Sequence, residues 1–113
     1  MSPADQFRQI AASLPEVTEE PHFEKTSFRV NKKIFATMLE GSNIGTVMLT
    51  PADQDVFCTF DKQTIYPVPN KWGQGGATHI NLALIQVEML REILKAAYRK
   101  VAPKRLGTLV KFV

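Results

Sequence analysis

The sequence predicts an α+β domain in which an antiparallel sheet is packed by helices on one face. Two observations carry this. Amphipathic helical patterns stand near both ends of the chain, and the segments between them alternate apolar and polar residues as half-buried strands do. The order helix, strands, helix, strands, helix then favours a sheet covered on one side. At 113 residues, 44% of them hydrophobic and 22% charged, the chain is long enough to bury one core without staples and fits a single domain, 1–113.

Ser2-Pro3-Ala4-Asp5 has the make-up of a helix start: a Ser cap, Pro at the first helical position and an acid three residues after the cap. Phe7, Ile10, Ala11 and Leu14 follow at i, i+3, i+4 and i+7, and Pro15 ends the helix. "TSFRVNKKIFATML" alternates on both sides of Asn31-Lys32-Lys33. A three-residue loop pairs Val30 with Ile34 and Phe28 with Ala36, and leaves Ser27, Arg29, Phe35 and Thr37 on the other face. "EGSN" turns the chain into a third strand around Thr46–Leu49. Thr50-Pro51-Ala52-Asp53 repeats the cap pattern and opens a short helix with Val56, Phe57 and Phe60 apolar.

Ile65–Val68 is the next expected strand, at an edge because Pro67 and Pro69 cannot donate to a ladder. "PVPNKWGQGGATHINL" leads from it into an alternating strand at Ala77–Leu82, with Thr78, Ile80 and Leu82 on one face. The last long helix runs from about Gln86 to Ala102, where Pro103 stops it. Val87, Leu90, Ile93, Leu94, Ala97, Tyr98 and Val101 share one arc at about 100° per residue.

Charge is unevenly spread. The net +3 combines −4 over residues 1–24, +2 over 25–85 and +5 over 86–113. Glu88 and Glu92 can pair with Arg91 and Lys95 on the last helix, which argues against that helix as a groove reader. The cations without an acidic neighbour in sequence are Lys100, Lys104 and Arg105, with Lys32, Lys33 and Lys71 in two loops. The longest aliphatic run is Leu82–Ile85, far short of a membrane span, and no secretory signal is visible. A single cysteine, Cys58, allows no internal disulfide. A cytoplasmic protein is therefore expected.

No catalytic or cofactor signature stands out. His22 lies among Glu19, Glu20 and Glu24, yet no second ligand at helical spacing accompanies it, so no metal site is expected. Cys58 falls about 160° from Val56 on its helix, away from the apolar residues, and no histidine is brought to it by local spacing. His79 lies in a strand as a packed or solvated residue. Gly73, Gly75 and Gly76 permit close backbone approach, but "WGQGG" lacks the Gly-Lys-Ser/Thr of a phosphate loop and precedes a strand rather than a helix. A loop tipped by Lys71 and Trp72 has the shape of a wing.

"SLPEVTEEPHFEKTSFRVNKKIFATM", "YPVPNKWGQGGATHINL" and "LREILKAAYRKVAPKRL", in this order, resemble the MmcQ/YjbR-like family of small bacterial proteins. Asn70, Lys71, Trp72 and Gly73 match that family's Asn-Lys-Trp-Gly element, and Pro103-Lys104 its helix-ending Ala-Pro-Lys. Ala77 stands where many relatives have a second tryptophan, and Gln86 where an acidic or hydroxyl cap is usual. The resemblance implies a CyaY-like fold with no cofactor, and DNA as the partner of a double wing. The expected function is non-enzymatic DNA binding, weak and largely independent of sequence. Asn31 to Lys33 and Asn70 to Gly76 form the wings, Lys32, Lys33 and Lys71 meet phosphates, and Trp72 meets a groove edge or exposed base. Lys104 and Arg105 extend the contact. The alternatives are a protein-interaction adaptor and a small-molecule-binding or enzymatic domain.

Overall fold

The computed structural model describes residues 2–39 and 41–110. Along the chain come α1 (Pro3–Ser13), β1 (Thr18–His22), β2 (Lys25–Val30), β3 (Lys33–Leu39), β4 (Ile44–Met48), α2 (Pro51–Cys58), β5 (Ile65–Pro67), α3 (Lys71–Gln74), β6 (Ala77–Asn81), α4 (Val87–Val101) and α5 (Lys104–Gly107). The strands form one sheet in the order β1-β2-β3-β4-β6-β5, every neighbouring pair antiparallel. The chain is thus an α+β domain, with α4 packed on β3 and β4 and with α1 beside α4.

The helix starts form as their sequences require. Ser2 Oγ accepts from the Asp5 N–H at 3.1 Å, and the Asp5 carboxylate accepts from the Ser2 N–H at 3.4 Å, which satisfies two end donors reciprocally. Thr50 caps α2 through the Asp53 N–H at 3.1 Å. Gln86 makes no side-chain cap bond, so α4 starts uncapped by its side chain. Leu90, Ile93, Leu94, Ala97 and Tyr98 of α4 are buried against the sheet, together with Phe7, Ile10 and Ala11 of α1. Rings meet edge to face where the layers touch: Phe7 on Phe28 at 5.7 Å and Phe35 on Tyr98 at 5.6 Å. Tyr98 also donates its hydroxyl to the Pro15 carbonyl at 2.7 Å, tying the exit of α1 to α4.

Several local expectations differ from the fold. The β2–β3 hairpin has a two-residue turn, Asn31-Lys32, both with positive φ (52° and 66°), rather than a three-residue loop. Val30 therefore faces Lys33, and Arg29 faces Ile34. A bulge between Phe28 and Arg29 restores the expected Phe28–Ala36 pairing and makes Phe35 the extra residue. Phe35 and Ala36 are both buried, while Ile34 is only half-buried. The turn wins because its twist matches that of the flanking strands.

β1 is a strand the apolar pattern does not announce, since four of its five residues are exposed. α2 does not present Val56 and Phe60 to the core; they are exposed, and Gln54 is the buried residue of that helix. Cys58 sits half-buried against the core rather than pointing away from it. After Pro103 the chain forms one more helical turn, α5. Glu40 of the "EGSN" turn and Lys111 of the basic segment lie outside the described residues.

Candidate functional site

The strand registers bring the two expected wings to one end of the sheet. β3 starts beside the Asn31-Lys32 turn and descends, so that Ala36 faces Val47 and Met38 faces Gly45. β4 climbs back to Met48, which faces Ala77 at the start of β6. The β2–β3 turn and the β5–β6 connection thus project from the same edge, separated by β4. Lys32, Lys33 and Lys71 are exposed there, and among the described residues none has a carboxylate partner. Lys32 holds a φ of 66°, a left-handed conformation that glycine adopts without a Cβ penalty. A cation stands where a glycine would be more stable.

The second connection is a built element rather than an open loop. Asn70 accepts the Trp72 N–H on Oδ1 at 2.8 Å and caps the single turn α3. The two glycines that matter pack backbone against backbone. A Cβ on Gly73 would lie 1.8 Å from the Val68 carbonyl oxygen, and one on Gly76 (φ 113°) would lie 1.8 Å from that of Leu49. Gly75 has room. Their role is close packing of the connection against the sheet, which answers why the stretch is glycine-rich. Gln54 completes it, donating Nε2 to the carbonyls of Gly73 at 2.8 Å and Ala77 at 3.2 Å and to Thr78 Oγ1 at 3.1 Å. Gln54 was not singled out from the sequence. Its partners are 19 to 24 residues away, and a glutamine in a short helix gives no local sign of facing inward. Trp72, held on this frame, remains 68% exposed.

α4 ends near the same edge, since Arg99 and Lys100 line a groove with Thr50 and Asp53. Lys104 and Arg105 follow in α5, and both are exposed. Arg105 is not an unopposed cation. Its Nη1 donates to Glu16 Oε2 at 3.0 Å and its Nη2 to Oε1 at 3.5 Å. The guanidinium holds the Glu16 carboxyl below its ordinary range. The pair closes across 89 residues of sequence, which is why charge spacing along the chain does not disclose it.

The sheet face opposite the helices is uncovered and carries the histidines. Thr37, Thr46, His79 and Tyr66 form a row across β3, β4, β6 and β5. His79 Nδ1 is 2.9 Å from Thr46 Oγ1, and its ring meets Tyr66 edge to face at 5.7 Å. Burial and then the positive charge of Lys25 keep the His79 pKa below its ordinary value. A groove of about 470 Å³ runs over Thr37, Thr46 and His79 of this row, lined also by Ile34, Met48, Val68 and Ala77 and bounded by Trp72. His22 and Lys25 stand at its other side. His22 meets Phe23 edge to face, ring centroids 4.9 Å apart. Among the described residues no hydrogen bond joins His22, His79 and Cys58 to one another, and no group of three His, Cys, Asp or Glu side chains could hold a metal. Burial, helped by Asp55, pushes the Cys58 thiol pKa up, the reverse of what activates a nucleophile.

The family model YjbR matches residues 12–100. The chain belongs to the YjbR family. The match covers both expected wings and the uncovered face, and stops within α4 before Lys104 and Arg105. Among solved structures, the chain is similar to the crystal structure of Deinococcus radiodurans protein DR2400, described by the family-model domain DUF419. The TM-score is 0.75 at 20% identity, over 96% of this chain and 90% of that one. That likeness establishes the fold. A comparison with curated proteins finds no match. Among the described residues no helix is long and apolar enough to cross a membrane.

Proposed function

We propose that this YjbR-family chain is a non-enzymatic, cytoplasmic DNA-binding protein that grips the duplex backbone with two wings. The observation that carries the reading is the projection of the Asn31-Lys32 turn and the Asn70–Gly76 connection from one sheet edge, with Lys32, Lys33 and Lys71 lacking carboxylate partners among the described residues. A lysine kept at the left-handed position of a tight turn supports it, because backbone strain of this kind persists where function requires the side chain. Lys32, Lys33 and Lys71 take phosphates and the exposed Trp72 meets a groove edge or an unpaired base. Lys104 adds a further phosphate contact. Arg105 contributes less than its sequence suggests, since Glu16 neutralises it.

So few contacts make binding weak and indifferent to sequence, because backbone neutralisation positions a protein without reading bases. The test is a salt titration of duplex binding by the wild type and the Lys32→Ala/Lys33→Ala/Lys71→Ala variant. Loss of three phosphate contacts should lower the slope of log affinity against log salt by about 2.7. No binding at low salt, or equal slopes, would remove the wings from the mechanism.

A further inference from the structure

The groove on the uncovered sheet face is unused by the DNA reading, although Trp72 borders both surfaces. Its volume of about 470 Å³ falls in the range of small-molecule sites. Its floor is aliphatic, from Ile34, Met48, Val68 and Ala77, and the indole of Trp72 forms one wall. Among the described residues no Asp or Glu lines it. Among the described residues Lys25 is the one lysine or arginine in its lining, and it has no carboxylate partner there. Lys25 is close enough to His79 for its charge to be felt there, so the cation bears on the groove's middle rather than on bulk water alone. The His79–Thr46 pair supplies a fixed polar contact in that same middle. An apolar floor, an aromatic wall and a cation with no carboxylate partner among the described residues select for a ligand that is apolar along its body and negative at one end.

We infer that this face binds a small amphipathic organic anion, an apolar monocarboxylate. Its carboxylate lies toward Lys25 and its hydrocarbon covers Met48, Val68 and the Trp72 indole. A neutral isostere keeps the apolar contact and loses the charge contact, so it binds more weakly. The site is independent of the wing cations, and either can fail without the other.

Trp72 is the only tryptophan in the chain, so its emission reports the groove directly. Octanoate and its neutral counterpart octanamide are titrated separately against the full chain. Octanoate should blue-shift Trp72 emission saturably and bind at least about fivefold tighter than octanamide, the size of a partly exposed ion pair. Lys25→Ala should remove that difference and leave octanamide binding unchanged. Met48→Glu, which sets a carboxylate on the floor, should weaken octanoate more than octanamide. An unchanged urea midpoint shows that each variant is folded. The Lys32→Ala/Lys33→Ala/Lys71→Ala variant should bind octanoate as the wild type does, and Lys25→Ala should bind duplex as the wild type does, which separates this site from the wings. No saturable change with octanoate, equal affinity for acid and amide, or a Lys25→Ala variant that still prefers the acid would each overturn the inference.

Discussion

The side-chain amide of Gln54 donates to the main-chain carbonyl of Gly73 at 2.8 Å, joining α2 to the connection that carries Lys71 and Trp72. The same nitrogen meets Ala77 and Thr78, so one buried donor group serves three acceptors on the loop and the start of β6. Gln54→Leu keeps the volume and leaves those acceptors without this donor. It should lower stability by roughly 1–3 kcal/mol. Urea denaturation followed by Trp72 emission is the measurement, and an unchanged midpoint would mean that the amide is not what secures the connection.

Gly73 and Gly75 stand two residues apart and should answer differently to the same substitution. A Cβ at Gly73 meets the Val68 carbonyl oxygen at 1.8 Å, whereas the nearest atom to one at Gly75 is 3.6 Å away. Gly73→Ala should cost about 2 kcal/mol or more through forced backbone movement. Gly75→Ala, with φ −83° in the helical region, should be neutral or slightly stabilising. Thermal melts of the two variants give the comparison; equal losses would contradict the packing described.

Four described residues other than glycine hold left-handed backbone, Glu16, Phe23, Asn31 and Lys32. Phe23 has φ 59° and is 95% exposed, and Lys32 has φ 66°. Phe23→Gly and Lys32→Gly should each raise stability by about 1 kcal/mol, the order of the Cβ penalty in that region. Lys32→Gly should at the same time weaken duplex binding. A melting midpoint that falls in both variants would show that side-chain contacts, such as that of Phe23 with His22, outweigh the strain.

His79 gives the fold a pH dependence with a definite sign. Its folded pKa is below the ordinary 6.5, first through burial and then through Lys25. The unfolded chain therefore takes up a proton at higher pH than the folded one. The stability this contributes is fully present above about pH 6.5 and is lost as pH falls from there through the lower folded value. Urea midpoints measured from about pH 8 down to 5 should decline across that window, and His79→Gln should flatten the decline. A wild-type curve already flat there would place His79 in a more solvated setting.

Much of the fold was legible because the features that encode it are local. Ser2 and Thr50 cap helices with donors three residues away, and the stripe from Leu90 to Tyr98 repeats within one helix, so neighbouring residues suffice to specify them. β6 and the edge position of β5 follow from alternation and from Pro67 in the same way. What the sequence by itself determined is the α+β class, the two packing helices and the loops that bear Lys32, Lys33, Lys71 and Trp72. Only the tertiary structure decided which sheet end those loops share, that Thr18–His22 is a strand, that Phe35 is the bulged residue, that Gln54 is buried and that Glu16 neutralises Arg105. The reason is sequence separation. A strand with no apolar face is selected by the backbone partners it finds, and a buried amide or an ion pair by groups 19 to 89 residues away, none of which a local pattern records.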